Sequence, residues 1–430
     1  MIIALEFIIF PYLDISLSNK TQIRPKPSEL LKLPEFRSFL IGRFLFIMGV
    51  RMSTTVIGWW MYELTNSPLA LGLVGLSEVI AALSFALYAG HYIDRNENRG
   101  LLLRCVLFYL CCVLCWFVLS DSVMHGYKPW TIAAGILVII FITGIIRAFS
   151  GPTFSAMISK IVPRHFLPTA ASMSTGSWLT ASIVGHAFGG FCIALFGIHF
   201  SFLVILLLVL MGYFFLRKLS TKMVNVHANQ NTWQSVREGI DFVFKSKAVL
   251  GTMTLDLFAV LFGGAVAMVP IFARDILKVG PEGFGWLNAA TDLGAIMSVI
   301  YLTISPLKGR QGKKLFYAVA IFGICIIIFG LSTHFWLSFV ALMISGMADG
   351  ISVVVRSTIL QLKTPDELRG RVMSVSSMFV NSSNELGQFE SGIAARLMGT
   401  VSSVVFGGCM TLLVVGVTWF KAPELRKMKY

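Results

Sequence analysis

Residues Ile132 to Ile146 read IAAGILVIIFITGII, and the next residue is Arg147. The run is apolar on every face, so it has neither the two-residue alternation of a half-buried strand nor the single stripe of a surface helix. Phe202 to Phe215, FLVILLLVLMGYFF, has the same character. A segment wrapped in apolar side chains needs an apolar solvent, and about 20 such residues carry a helix across a bilayer. Comparable runs recur along nearly all of the 430 residues, separated by short polar breaks. With 56% hydrophobic and 13% charged residues, the chain has more apolar surface than ordinary soluble domains can bury. Outer-membrane strands are excluded because they would show short segments of alternating polarity.

Twelve spans are expected, near 38–62, 68–90, 100–120, 130–155, 170–196, 199–217, 250–276, 283–304, 314–331, 336–358, 371–395 and 401–420. They divide the chain into a leading segment (1–35), a first six-helix half (36–217), a central loop (218–249), a second half (250–420) and a tail (421–430). The net charge of +14 invites a nucleic-acid reading, but most of the Lys and Arg fall in segments that twelve spans would place on one side. The positive-inside rule makes that side, with both termini, cytoplasmic. Within the central loop, Trp233 to Phe244 is amphipathic and suits the membrane surface. Met1 to Leu13 is apolar but too short to span, and it lacks a basic leader and a small-residue cleavage site. It reads as an interfacial segment or as an extension from an upstream start codon.

Seven cysteines are an odd number, and Cys105, Cys111, Cys112 and Cys115 share one apolar run. They read as small packing residues rather than as a disulfide or metal framework. The seven His are scattered, and neither a phosphate loop nor a Ser-His-Asp grouping is visible, so no cofactor or metal is expected and catalysis is the least favoured reading.

The two halves repeat. Ser67-Pro68 with Gly72 matches Gly280-Pro281 with Gly285 at an offset of 213, each opening the second span of its half. Pro163, Gly185 and Gly190 match Pro365, Gly387 and Gly392 at an offset of 202. Loops of different length between the third and fourth spans of each half account for the drift.

The segment after span 2 reads Gly90-His91-Tyr92-Ile93-Asp94-Arg95-Asn96-Glu97-Asn98-Arg99. It resembles the major facilitator signature G-x-L-A-D-R-x-G-R-R, with Gly90, Asp94, Arg95 and Arg99 matching and Glu97 and Asn98 in place of Gly and Arg. Gly309-Arg310-Gln311-Gly312-Lys313-Lys314 is a worn copy without the Asp. The resemblance implies that Gly90, Asp94, Arg95 and Arg99 latch the outward-facing state; a basic loop that only sets topology is the plainer alternative. Gly185-His186-Ala187-Phe188-Gly189-Gly190 is similar to the G-P-x-x-G-G element of exporters, with His186 where Pro would stand. Gly185, Gly189 and Gly190 suit close helix packing whether or not they serve antiport.

Tyr62-Glu63-Leu64-Thr65-Asn66-Ser67-Pro68, Asp256 to Gly264, Thr364 to Arg371 and Asn384-Glu385-Leu386-Gly387 look like the enterobactin-exporter-like branch, and the resemblance covers about 34–425. It implies an all-α major facilitator fold in the bacterial inner membrane, with proton-driven efflux of siderophores or amphipathic drugs by alternating access. The expected partners are a small-molecule substrate, protons and lipid, with no nucleic acid, for a monomer. Uptake of a small solute and lipid translocation share this architecture and stand as alternatives.

Charges inside spans are costly and commonly face an internal cavity. The candidates are Arg43, Arg51, Glu78, Arg147, Asp256, Asp292, Asp349, Glu385 and Glu390. At ~1.5 Å per residue, Glu78 and Asp292 lie ~15 Å from one face, near the midplane, at near-equivalent repeat positions. They lead as proton carriers, ahead of Asp256, Glu385 and Glu390, and each has a structural ion pair as its alternative. Arg147 and Asp349 are equivalent at offset 202, which makes a pair between them conceivable. Arg43 and Arg51, eight residues apart on one helical face, suit an anionic substrate.

Overall fold

The computed structural model of the chain describes residues 27–121, 126–220, 232–305, 309–365 and 368–428, apart from the side chains at 27, 86, 87, 90, 91, 94, 95 and 232–236. The segment Met1 to Leu13 lies outside the described residues, as does part of the central loop. Everything regular is helical among the described residues. The first half comprises α1 (Pro34–Thr65), α2 (Pro68–Arg95), α3 (Asn98–Leu119), α4 (Pro129–Ile161) and the long helix Leu167–Arg217. The last turns back at Gly197, whose φ of 75° no ordinary helix holds, giving α5 (167–196) and α6 (198–217). The second half comprises α7 (Lys247–Phe262, with irregular turns to Ile276), α8 (Gly280–Ile304), α9 (Gln311–Leu331), α10 (Phe335–Lys363), α11 (Arg369–Met398) and α12 (Thr400–Lys421).

Among the described residues, ten helical runs are long and apolar enough to span a membrane, and one of them, Arg164–Arg217, turns back at Gly197 and so holds two expected spans. The expected eleventh span, α11, is not among them: its 30 residues suffice in length, but it is rich in Ser and carries Arg369, Arg371, Glu385, Glu390 and Arg396. Prolines at first-turn positions open α1, α2, α4, α5 and α8, where their missing N–H costs nothing. The repeat extends to the turns: Gly197 and Gly399, also 202 apart, both take positive φ between the last two helices of their halves.

Two boundaries differ from expectation. The signature segment is mostly helix, since α2 continues through Ile93, which is buried, to Arg95. Asn96 Nδ2 then donates to the Tyr92 carbonyl at 2.8 Å and ends it, leaving a turn of only Asn96 and Glu97. Span 7 is broken rather than continuous. Gly263 and Gly264 interrupt it where the backbone meets α11: a Cβ on Gly264 would lie 2.4 Å from the Gly387 carbonyl oxygen. Trp233 to Phe244 lies in the helix Thr232–Lys245, whose Glu238 pairs with Arg371 at the start of α11.

The halves meet along two crossings. A Cβ on Gly72 of α2 would stand 3.0 Å from the Gly392 Cα of α11, and a Cβ on Gly285 of α8 would stand 2.9 Å from the Gly190 Cα of α5. Gly72 repeats as Gly285 and Gly190 as Gly392, so one crossing is the pseudo-twofold image of the other. Both lie toward the face opposite the basic one, which we call the far face. Toward the basic face, by contrast, a Cβ on Gly151 of α4, Gly176 of α5 or Gly370 of α11 would meet nothing within 4 Å. The halves therefore close on the far side, while these three positions toward the basic side are in contact with no other element.

Candidate functional site

Arg147 is placed by two close helix approaches. One turn before it, a Cβ on Gly144 would come within 3.1 Å of the Glu78 carbonyl oxygen, so α4 rides directly on α2. One turn before Glu78, a Cβ on Gly75 would come within 2.7 Å of the Glu385 carbonyl oxygen, so α2 rides on α11. Arg147 consequently reaches carboxylates in both halves: it forms an ion pair with Glu78, and its Nη2 lies 3.7 Å from Glu385 Oε1. Gln388 Nε2 donates to the other Glu385 oxygen at 2.9 Å. Arg147 is half-exposed while both carboxylates are largely buried.

The second crossing carries its own polar cluster. Gly185 allows α5 onto α1, since a Cβ there would sit 2.7 Å from the Met48 carbonyl oxygen and 2.9 Å from the Arg51 Cβ. Gly189 faces Met52 and Thr55 of α1, and Gly190 faces α8. His186 is thereby held between Thr55, 2.8 Å from its Nδ1, and Asp292 of α8, 3.8 Å from its Nε2. Ser182 Oγ donates to Asp292 at 2.5 Å, so Asp292 too binds across the halves.

Arg51 lies over the Trp178 ring, 5.1 Å from its centroid. Among the described residues no carboxylate comes within 4 Å of it. Arg43, two turns closer to the basic face, bonds Ser174 and lies 5.5 Å from the Phe154 ring centroid. The two arginines thus face α5 together, flanked by Ser174 and Trp178. A cation against an aromatic face, with no fixed counter-ion, can hold an anion that carries a ring or an apolar body.

The other candidates fall elsewhere. Arg147 pairs with Glu78 and Glu385, not with Asp349, because α2 and α11 stand on either side of it. Asp349, midway along α10, makes no ion pair or hydrogen bond among the described residues. Asp256 pairs with Arg356, both buried, inside the second half. Glu390 lines a separate groove on α11. Arg99 Nη2 donates to the Arg217 carbonyl at 2.9 Å, within the first half. Gly90 is in the last turns of α2, and the side chains of Asp94 and Arg95 lie outside the described residues. Among the described residues no three His, Cys, Asp or Glu converge to hold a metal.

Several partners escape a reading by charge alone. Arg356 was not among the buried charges expected, Trp178, Ser182 and Gln388 are neutral, and His186 entered only through a packing motif. A cluster at the far ends of α1 and α7 was also missed: Tyr62 Oη donates to Asp275, and Arg274 Nη1 donates to Asn66 Oδ1 at 3.1 Å while lying 5.4 Å from the Tyr62 ring centroid. Tyr62 and Asp275 are 213 apart, the repeat offset itself, and that coincidence was the available signal.

Residues 29–430 match the family described as transmembrane secretion effector. An uncharacterized MFS-type transporter of Bacillus subtilis, YfmI, is 21% identical, over 91% of this chain and 97% of its own. The enterobactin exporter EntS of Shigella boydii is 21% identical over 89% of this chain and 90% of its own. A Na(+), Li(+), K(+)/H(+) antiporter of Planococcus maritimus is 20% identical over 79% and 84%. Among solved structures, the POT family transporter PepTSo superposes with a TM-score of 0.73 at 12% identity, covering 92% of this chain and 99% of that one. A D-xylose–proton symporter gives 0.69 at 13%, covering 93% and 100%.

Proposed function

The chain belongs to the transmembrane secretion effector family of major facilitator transporters, and on that premise we propose that it exports an amphipathic organic anion, of siderophore or acidic-drug type, in exchange for protons. The observation that carries the reading is Arg147 bridging Glu78 of one half and Glu385 of the other, beside an Arg51 that has no bound carboxylate. The likeness to a relative named as an enterobactin exporter supports the direction, and the likeness to one named as an antiporter supports exchange. With the basic face cytoplasmic by the positive-inside rule, the reading takes the space between the halves as a central cavity open inward and sealed outward in a bacterial inner membrane.

The coupling follows from which groups travel together. Glu78 and Arg147 belong to one half and move as a unit; Glu385 belongs to the other. When the halves rock and the outer side opens, Glu385 parts from Arg147. A carboxylate left in an apolar surrounding without its counter-charge is neutralised by a proton, here from the outside. On the return stroke Arg147 comes back to Glu385 and displaces that proton toward the cytoplasmic cavity. Glu385 is therefore the coupling group, Glu78 the residue that holds Arg147 in place, and Asp292 makes a parallel cross-half contact through Ser182 and His186. Arg51, with Trp178 beneath it, anchors the anion. Asp94, Arg95 and Arg99 act as the latch once the basic face closes.

Inside-out vesicles carrying the purified protein test this. An acid lumen should drive accumulation of a catecholate or carboxylate siderophore ahead of cationic dyes, with sodium and potassium gradients run alongside. Glu385→Gln should abolish the response to the pH gradient yet leave substrate counterflow, and Arg51→Gln should raise KM at least tenfold without uncoupling. Flux indifferent to the gradient, or a Glu385→Gln protein that still follows it, refutes proton antiport and moves uptake or lipid translocation ahead.

A further inference from the structure

Glu390 stands apart from everything used above, although it is only five residues beyond Glu385 on α11. Five residues turn a helix by about 140°, so the two carboxylates leave α11 on different sides. Glu385 faces the other half; Glu390 lines a groove of about 440 Å³ on the outer surface of the second half, with Leu261 of α7, Phe389, Ile393 and Leu397 of α11, and Phe406 of α12. Leu397 is 79% exposed, and Ile393 and Phe406 are also exposed, so this groove opens to lipid rather than to the cavity. Within it no Lys, Arg or His among the described residues comes within 4 Å of Glu390.

We propose that this groove is a binding site for an amphipathic monocation, a protonated amine, quaternary ammonium or phosphonium with a ring or alkyl body, and that Glu390 is its counter-ion. Three observations converge. A carboxylate beside hydrocarbon is expensive unless it takes up a proton or has a positive partner, and with no cation of the protein within 4 Å among the described residues, a bound monocation is what would hold it ionised. The helix of α7 ends at Phe262, and Leu261 in its last turn forms part of the groove wall, so the negative end of a helix dipole reinforces the carboxylate. The rest of the lining is apolar, and the volume matches a drug-sized body. An anion would meet two negative features, and a lipid tail would have no use for either. The site is chemically opposite to Arg51 and independent of the central cavity.

Binding of radiolabelled tetraphenylphosphonium to the full-length protein in phosphatidylcholine nanodiscs tests the assignment. Wild type should bind saturably, Glu390→Gln at least tenfold more weakly, and Glu385→Gln and Arg51→Gln like wild type. Ala394→Trp fills the same groove with the carboxylate intact; it should also block binding, and it keeps the test open if Glu390→Gln misfolds. Equal binding by wild type, Glu390→Gln and Ala394→Trp overturns the proposal, as does a loss seen equally in Glu385→Gln, which would move the cation to the central cavity. Nanodiscs of phosphatidylethanolamine serve as the second arm: binding there should persist, and its abolition by that lipid would make the occupant a lipid amine and overturn the assignment too.

Discussion

Asp256 and Arg356 are sealed inside the second half, with side chains only 6% and 5% exposed, and that degree of burial decides their role. Two charges withdrawn from water repay their desolvation only as a pair, so removing one strands the other. Asp256→Asn should cost about 3–5 kcal/mol and lower the melting temperature in detergent by several degrees. The double change Asp256→Leu with Arg356→Met should recover most of it, while the protein that survives in either variant transports with an unchanged KM. A normally melting Asp256→Asn that has lost its response to a pH gradient would instead make Asp256 a coupling group. Sequence placed Asp256 and Glu385 in one class because both are carboxylates within spans. What separates them is rotation about the helix axis and the identity of the facing helix, and neither is written in a run of apolar residues. Glu78 and Arg147 show the same limit: each was legible as a buried charge, but their contact depends on Gly144 letting α4 onto α2.

Helix-scale features were legible wherever the chain punctuates itself. Proline at helix starts, the apolar runs and the two offsets of the repeat located most boundaries to within a few residues. The break in α7 was not read, although Gly263 and Gly264 were in view, because isolated glycines inside a span equally serve packing. The structure makes them do both: the helix stops, and the freed backbone lies on Gly387. Gly264→Ala would drive a Cβ into the Gly387 carbonyl, so a destabilisation of about 1–3 kcal/mol is expected, together with slower transport. Gly416→Ala in α12 has open space around its Cβ and serves as the control. Thermal unfolding of the two variants side by side decides the matter: if both melt like wild type, the contact between α7 and α11 is not tight in the protein as it works. The signature segment shows the opposite error, a loop expected where helix runs on, because its charges looked like loop composition while the buried Ile93 continues the apolar face of α2.

For the molecule as a whole, the question is what holds the far face shut. Two glycine crossings, α2 on α11 and α5 on α8, bring the backbones together, and the polar contacts beside them, Arg147 with Glu385 and Ser182 with Asp292, lie farther from the far face. The cluster of Tyr62, Asn66, Arg274 and Asp275 joins the tips of α1 and α7 by directed bonds, at positions the repeat makes equivalent, and so lies close to the axis about which the halves rock. It is half-exposed, so solvent screening limits its worth to about 1 kcal/mol. An energy of that size still shifts a two-state balance about fivefold. Tyr62→Phe and Asp275→Ala should therefore enlarge the population open at the far face, each by a similar factor and without additivity, since both remove the same bond. Spin labels at Ser67→Cys and Lys278→Cys, in a background whose seven native cysteines are replaced, report the separation of the two tips directly. A longer distance component that grows in both single variants, and no further in the double, identifies the bond as a latch. Distance distributions that stay at wild type in all three would assign closure of the far face to the glycine crossings, and Gly190→Ala would then be the variant that opens it.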